Sequence, residues 1–197
     1  MSELDEVRER WSRLPPELRK EVSRRGSGIV PFLCDLVESN GFTRVLEIGT
    51  FKGRTACFVG AACEPFGGRV ATINIDASEL AAARELAAIL GVVNVDFIHG
   101  DSVEVIDGLS GPWDLVFVDG AHSHARTRAE YAAVREKMAA NSFIVFDDAT
   151  YVHGDGRRDG GVPCTVREIG AELRLGRTFA LIRSGDVREL ETPSWSL

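Results

Sequence analysis

The chain predicts an open α/β sandwich: a Rossmann-like, mostly parallel seven-stranded sheet with helices on both faces and an antiparallel last strand. Three observations carry this. Short apolar, β-rich runs recur at 44–49, 69–76, 95–101, 113–120 and 142–148, with helical stretches between them at 53–64, 78–90, 102–109 and 123–139. Apolar strands alternating with helices imply βαβ crossovers and a sheet covered on both faces. Two later runs, 178–184 and 187–190, stand close enough to pair antiparallel. Finally, each of the five early runs ends in a polar residue, which places chemistry at the carboxyl edge of the sheet, where ligands of open α/β folds bind.

The elements follow in order. Residues 1–27 are dense in alternating charge, broken by Pro15-Pro16, and read as two short solvated helices forming an N-terminal cap, a lid or a dimer contact. Residues 28–197 read as the main domain. It opens with an apolar helix at about 29–39, stopped by Asn40-Gly41. The helix at 78–90 has Ser78 as its expected N-cap and Gly91 as its stop. A last helix is expected at about 163–175. Between it and the fifth strand, 151–162 carries four glycines and Arg157-Arg158, either a basic lid or a connector.

Composition narrows the function. Twenty-three Lys and Arg against 30 Asp and Glu give a net charge of −7, which argues against a nucleic-acid or anionic-membrane binder. Cys34, Cys57, Cys63 and Cys164 form no Cys-x-x-Cys pair, which excludes zinc ribbons and thioredoxin-like sites. Free thiols, with neither an apolar leader nor an apolar run of spanning length, fit a cytoplasmic chain. Cys34 and Cys57 read as small core residues.

The turn after the first strand is Glu47-Ile48-Gly49-Thr50-Phe51-Lys52-Gly53. Phe51 stands where a dinucleotide fingerprint needs a glycine, and no Gly-Lys-Ser/Thr makes a phosphate loop. Glu47 would repel a phosphate and suits a ligand carrying an amino group; an ordinary βα turn remains the alternative. Asp101 and Ser102 begin a helix, as a ligand contact or an N-cap. Asp119, Asp147 and Asp148 crowd neighbouring strand ends. Repulsion among them would be resolved by a hard divalent cation such as Mg²⁺, unless the last two merely cap a turn. His122, three residues after Asp119, belongs to the residue type best suited to a general base at neutral pH, unless it is only a cap; His124 competes for that role. His99 and His153 are given no role.

Four motifs in order, VLEIGTFKGRT, NIDAS, GDS and LVFVDGAHS, resemble class I S-adenosylmethionine-dependent methyltransferases. The similarity spans about 28–184 and is greatest to the small metal-dependent O-methyltransferases of the catechol, caffeoyl-CoA and macrocin types. It implies that Glu47, Gly49, Thr50, Phe51 and Gly53 lie under the methionine part of the cofactor. It implies a ribose contact at Asn74 or Asp76, where the family's acidic position falls on Asn74, and an adenine contact at Asp101 and Ser102. It further implies Asp119 beside cofactor and metal, with Asp147 and Asp148 as further Mg²⁺ ligands, and His122 as the base. The reaction implied is methyl transfer to a hydroxyl of a small molecule, a natural-product sugar or phenol. If the N-terminal helices are a dimer contact, as read above, the enzyme is a homodimer joined through them. The competing reading is an S-adenosylmethionine-binding protein that is metal-independent or does not methylate.

Overall fold

The computed structural model describes residues 1–22, 28–151, 160–174 and 179–186. These form α1 (Glu3–Arg13), α2 (Pro16–Glu21), α3 (Ile29–Asn40), β1 (Arg44–Ile48), α4 (Arg54–Cys63), β2 (Arg69–Asn74), α5 (Ala77–Leu90) and β3 (Val95–His99). There follow α6 (Ser102–Gly108), β4 (Trp113–Val118), α7 (His124–Arg135), β5 (Met138–Phe146), α8 (Gly161–Ile169), β6 (Glu172–Arg174) and β7 (Phe179–Arg183). The strands lie in the order β3-β2-β1-β4-β5-β7-β6. The first five are mutually parallel, and β7 runs antiparallel to both β5 and β6. Chain order reverses at the β1–β4 neighbours, which opens a crevice above their carboxyl ends.

The period of two along the strands explains why the apolar runs are continuous. Val45, Phe117 and Val145 face one layer with Leu33, Cys34, Cys57, Val59 and Leu90 from the helices α3, α4 and α5. Leu46, Val116, Ile144 and Phe146 face the other, with Tyr131, Val134, Val166 and Ile169 from α7 and α8. Leu4 and Val7 of α1 are buried in the first layer, and Trp11 meets Phe58 edge-on at 5.6 Å. Arg10 closes the far end of α5 by donating to the Leu90 carbonyl at 2.6 Å. No helix among the described residues is long and apolar enough to cross a membrane.

Three details differ from the sequence reading. The N-cap of α5 is Asp76, whose Oδ1 accepts from the backbone N–H of Ser78 and Glu79 at 2.8 and 3.1 Å; Ser78 is already inside the helix. Helix α7 ends at Arg135 rather than 139. Its follower Lys137 donates from Nζ to the carbonyls of Ile106, Asp107 and Leu109, closing α6, while its own carbonyl accepts from Trp113. The chain is therefore free to join β5 from Met138. Helix α8 spans Gly161–Ile169, stopped by Gly170 in a left-handed conformation, so the partner of β7 is β6. The expected strand at 187–190, and 152–159 of the glycine-rich loop, lie outside the described residues.

Candidate active site

Backbone bonds carry the sheet one residue beyond its strands. Gly49 N–H donates to Ile73 O, Gly100 N–H to Asn74 O, Asp119 N–H to Ile48 O and Asp147 N–H to Val118 O, at 2.8–3.0 Å. The turns are thus held in register around a cavity of about 640 Å³, open to solvent at the switch point. Gly49, Thr50, Phe51, Asn74, Asp101, Ser102, Asp119, His122, Asp147 and Asp148 all line it. Glu47, Gly53, Asp76 and His124 do not.

Gly49 adopts φ +100, and a Cβ there would stand 2.2 Å from the carbonyl oxygen of Asp119. Glycine is required here because two backbones meet. Phe51 is itself left-handed, at φ 46. Gly53 serves a different purpose from the one expected: a Cβ would fall 2.7 Å from Ala83 Cβ, so it lets α4 close against α5.

Glu47 sits on the same face of β1 as Val45, so the pleat aims it beneath the turn, into the layer of α3 and α4. It is 3% exposed, and the Thr72 hydroxyl donates to it from the paired position on β2. Thr72 in turn shares a 2.6 Å hydrogen bond with Thr50, which reaches the cavity. Burial pushes the Glu47 carboxyl from an ordinary 4.5 up to about 8, with the Thr72 hydroxyl opposing. Between those values the folded chain holds a proton that the unfolded chain has released. This contribution to stability is therefore fully present below about pH 4.5 and is lost as pH rises through about 8. Urea midpoints are expected to fall from about pH 5 to about pH 9 in the parent, and to fall distinctly less in Glu47→Gln.

At the second strand end, Asn74 Nδ2 donates to Glu79 Oε2 at 2.9 Å, and both line the cavity. Asp76 is turned to the helix backbone as a cap, with Ser78 Oγ also donating to it, which holds its carboxyl below the usual range. The carboxylate presented at this rim is that of Glu79. Its signal in the sequence is its place in the first turn of α5, three residues after the cap.

At the third strand end, Asp101 caps α6 and accepts from Arg126, which keeps its carboxyl low. Arg126 also donates to Ser102 Oγ at 2.8 Å, and Ser102 Oγ donates to Glu130 Oε1 at 2.6 Å. Glu130 is 1% exposed yet borders the cavity, and burial raises its carboxyl against the pull of Ser102 and Arg126. Neither Arg126 nor Glu130 was foreseen, because both come from the middle of α7 and carry no motif.

At the fourth and fifth ends, His122 Nδ1 lies 3.4 Å from Asp148 Oδ2. His124 turns away to α8, with Nδ1 2.8 Å from Thr165 Oγ1 and Nε2 3.5 Å from Glu168. Asp148 is left-handed, at φ 52, and its N–H donates to Asp147 Oδ1 at 2.8 Å. The carboxylate cage expected for Mg²⁺ does not fit this arrangement. Asp147 faces its neighbour's amide and Asp148 faces His122, and no group of three or more His, Cys, Asp or Glu among the described residues is placed to hold a metal ion.

A family model described as a methyltransferase domain matches residues 46–149. The chain is 28% identical over 127 residues to the O-methyltransferase ankF of Aspergillus thermomutatus, covering 64% of this chain and 53% of that one. It is 34% identical over 90 residues to a catechol O-methyltransferase of Mycobacterium tuberculosis, covering 45% and 40%. The chain thus spans about half the length, or less, of these curated relatives. The fold is similar to that of a Bacillus cereus O-methyltransferase solved in complex with SAH, with TM-score 0.68, 18% identity and coverage of 92% and 89%.

Proposed function

The chain belongs to the methyltransferase-domain family matched over residues 46–149, and from that membership we propose that it moves the methyl group of S-adenosylmethionine to a hydroxyl of a small molecule. The observation that carries the reading is the cavity at the switch point. It combines the Gly49 turn, the Asn74–Glu79 pair, the Ser102–Glu130 recess and a histidine on one rim. The O-methyltransferases among its relatives support the hydroxyl acceptor, and the catechol enzyme supports a phenol over other acceptors.

S-adenosylmethionine, when bound, supplies a methyl carbon on a cationic sulfur, whose bond breaks with its electrons remaining on sulfur. The chain's residues hold donor and acceptor together, an effect of ~7–11 kcal/mol in well-oriented systems. Glu79 and Asn74 offer acceptors to a ribose diol. His122 takes the acceptor's proton: with Nδ1–H toward Asp148, the basic lone pair of that tautomer is on Nε2, and the carboxylate steadies the imidazolium that results. Since the three aspartates do not form a cage, no step is routed through a metal; they line the cavity, and Asp148 stands beside His122.

Titration calorimetry with S-adenosylhomocysteine tests the binding, and transfer of labelled methyl to catechol tests the reaction. One site per chain is expected; absence of any binding heat removes the reading. Transfer is expected to continue in EDTA, whereas loss in EDTA restored by Mg²⁺ would reinstate the aspartate cage. Glu79→Ala is expected to weaken S-adenosylhomocysteine roughly tenfold, and more than either Asn74→Ala or Asp76→Ala, because a charged acceptor is lost. An equal or larger loss in Asp76→Ala would move the ribose contact to that residue.

A further inference from the structure

Glu47 is a buried acid to which the reaction gives no task. It faces an apolar recess of about 10 Å³ lined by Leu33, Val45, Val59, Val70, Leu115 and Phe117. Its donor is the Thr72 hydroxyl, itself fully buried. A carboxyl group so poorly solvated favours its neutral form, and burial accordingly pushes it up to about 8. At neutral pH the ligand-free chain therefore stores a proton beneath the Gly49 turn.

A path of hydroxyls leads from that proton to the cavity wall. Thr72 meets Glu47 on one side and Thr50 Oγ1, at 2.6 Å, on the other, and Thr50 lines the cavity. Each hydroxyl has one proton, so the three groups order together. When Glu47 is ionised, Thr72 donates to it and Thr50 donates to Thr72. The row of dipoles then turns its negative end to the cavity. When Glu47 is neutral, its own proton is free to be donated to Thr72 and that of Thr72 to Thr50, and the row reverses. Among the described residues, the titratable group acting on this acid is Cys57 of α4, whose thiol burial pushes up to about 12. Helix α3 and strands β2 and β4 face it with Leu33, Val70, Thr72, Leu115 and Phe117. Above the turn, the cavity presents Glu79, Asp119, His122, Asp147 and Asp148.

We propose that the Glu47–Thr72–Thr50 row determines specificity for ligand charge: binding of a sulfonium releases the Glu47 proton to solvent, and binding of the neutral thioether product does not. This rests on the S-adenosylmethionine reading above and adds to it a means of telling the methyl donor from its spent form. The two ligands differ by one positive charge. A cation in the cavity stabilises the ionised acid, so the acid gives up its proton more readily when the donor is bound. By linkage, raising the pH through the range in which the ligand-free chain loses this proton strengthens donor binding and leaves product binding unmoved.

Calorimetry on the full chain with S-adenosylmethionine and S-adenosylhomocysteine, from pH 6 to pH 9, is the test. The parent's preference for the sulfonium is expected to grow roughly five- to tenfold over that range, the effect of a shift of about one pKa unit. At pH 7, titrations in phosphate and in Tris should show about 0.4 proton more released by the sulfonium than by the thioether. Glu47→Gln keeps His122, the cavity carboxylates and the α-amino group of each ligand, so any titration among these is common to both chains. In this variant the growth is expected to be smaller by the same factor, and the extra proton release to vanish. Thr72→Val keeps Glu47 but cuts the row; it is expected to lose most of the effect and gives a second readout should the Gln variant not fold. Equal proton release by both ligands in the parent, or an effect undiminished in both variants, overturns the assignment while leaving the cofactor reading intact. If the parent binds neither ligand, the cofactor reading fails, and this inference fails with it.

Discussion

Gly49→Val is expected to destabilise the chain by about 4 kcal/mol or more, seen as a large drop in urea midpoint, before any question of ligand arises. The sequence alone suggests that a side chain here would fill the ligand site and leave the fold standing. The geometry says otherwise. The new Cβ would stand 2.2 Å from Asp119 O, 2.6 Å from its carbonyl carbon and 2.9 Å from Gly120 N, all backbone atoms that cannot rotate away. Relief requires the ends of β1 and β4 to separate, which breaks the bond from Asp119 N–H to Ile48 O. The φ of +100 adds a conformational penalty of about 1–3 kcal/mol for a branched residue. Gly108→Ala is the matched control: a Cβ there meets nothing within 4 Å, and its midpoint should scarcely move. A midpoint for Gly49→Val within error of the parent would show that the two turns are not in contact.

His122→Ala is expected to lower kcat by ~10²–10⁴ while leaving S-adenosylhomocysteine affinity within about threefold. A base acts on the acceptor's proton and not on the assembly of the cavity. Asp148→Asn should give a smaller loss, because the partner that steadies the imidazolium becomes neutral while His122 remains. His124→Ala separates the two histidines: its ring is held by Thr165 and Glu168, so its removal should loosen α8 against α7 with little direct effect on turnover. Full activity in His122→Ala would remove the proton-transfer role.

The strands were legible in the sequence because five β-rich apolar runs alternate with helical stretches, a pattern few other folds produce. Most of the cavity wall was legible too, since parallel strands necessarily bring their carboxyl ends to one edge. What escaped was decided by orientation and competition. Glu47 belongs to the first motif, but strand alternation sends it beneath the turn. Asp76 and Ser78 both suit an N-cap, and only the backbone path settles that Asp76 takes the position and yields the rim to Glu79. The cage was inferred from three carboxylates brought to neighbouring strand ends, whereas Asp148 adopts a left-handed backbone beside His122. Glu130 and Arg126 were illegible because a mid-helix residue acquires meaning only when its helix is docked.

Two of the residues lining the cavity hold conformations that disfavour their own side chains: Phe51 at φ 46 and Asp148 at φ 52. Glycine at either position would relieve a penalty of about 1–2 kcal/mol. It would also erase an aromatic wall in one case and the partner of His122 in the other. Selection for stability alone would therefore drive both sites toward glycine, and selection for chemistry would hold them where they are. A search for more heat-resistant variants of this chain will find its easiest gains at the residues it can least do without.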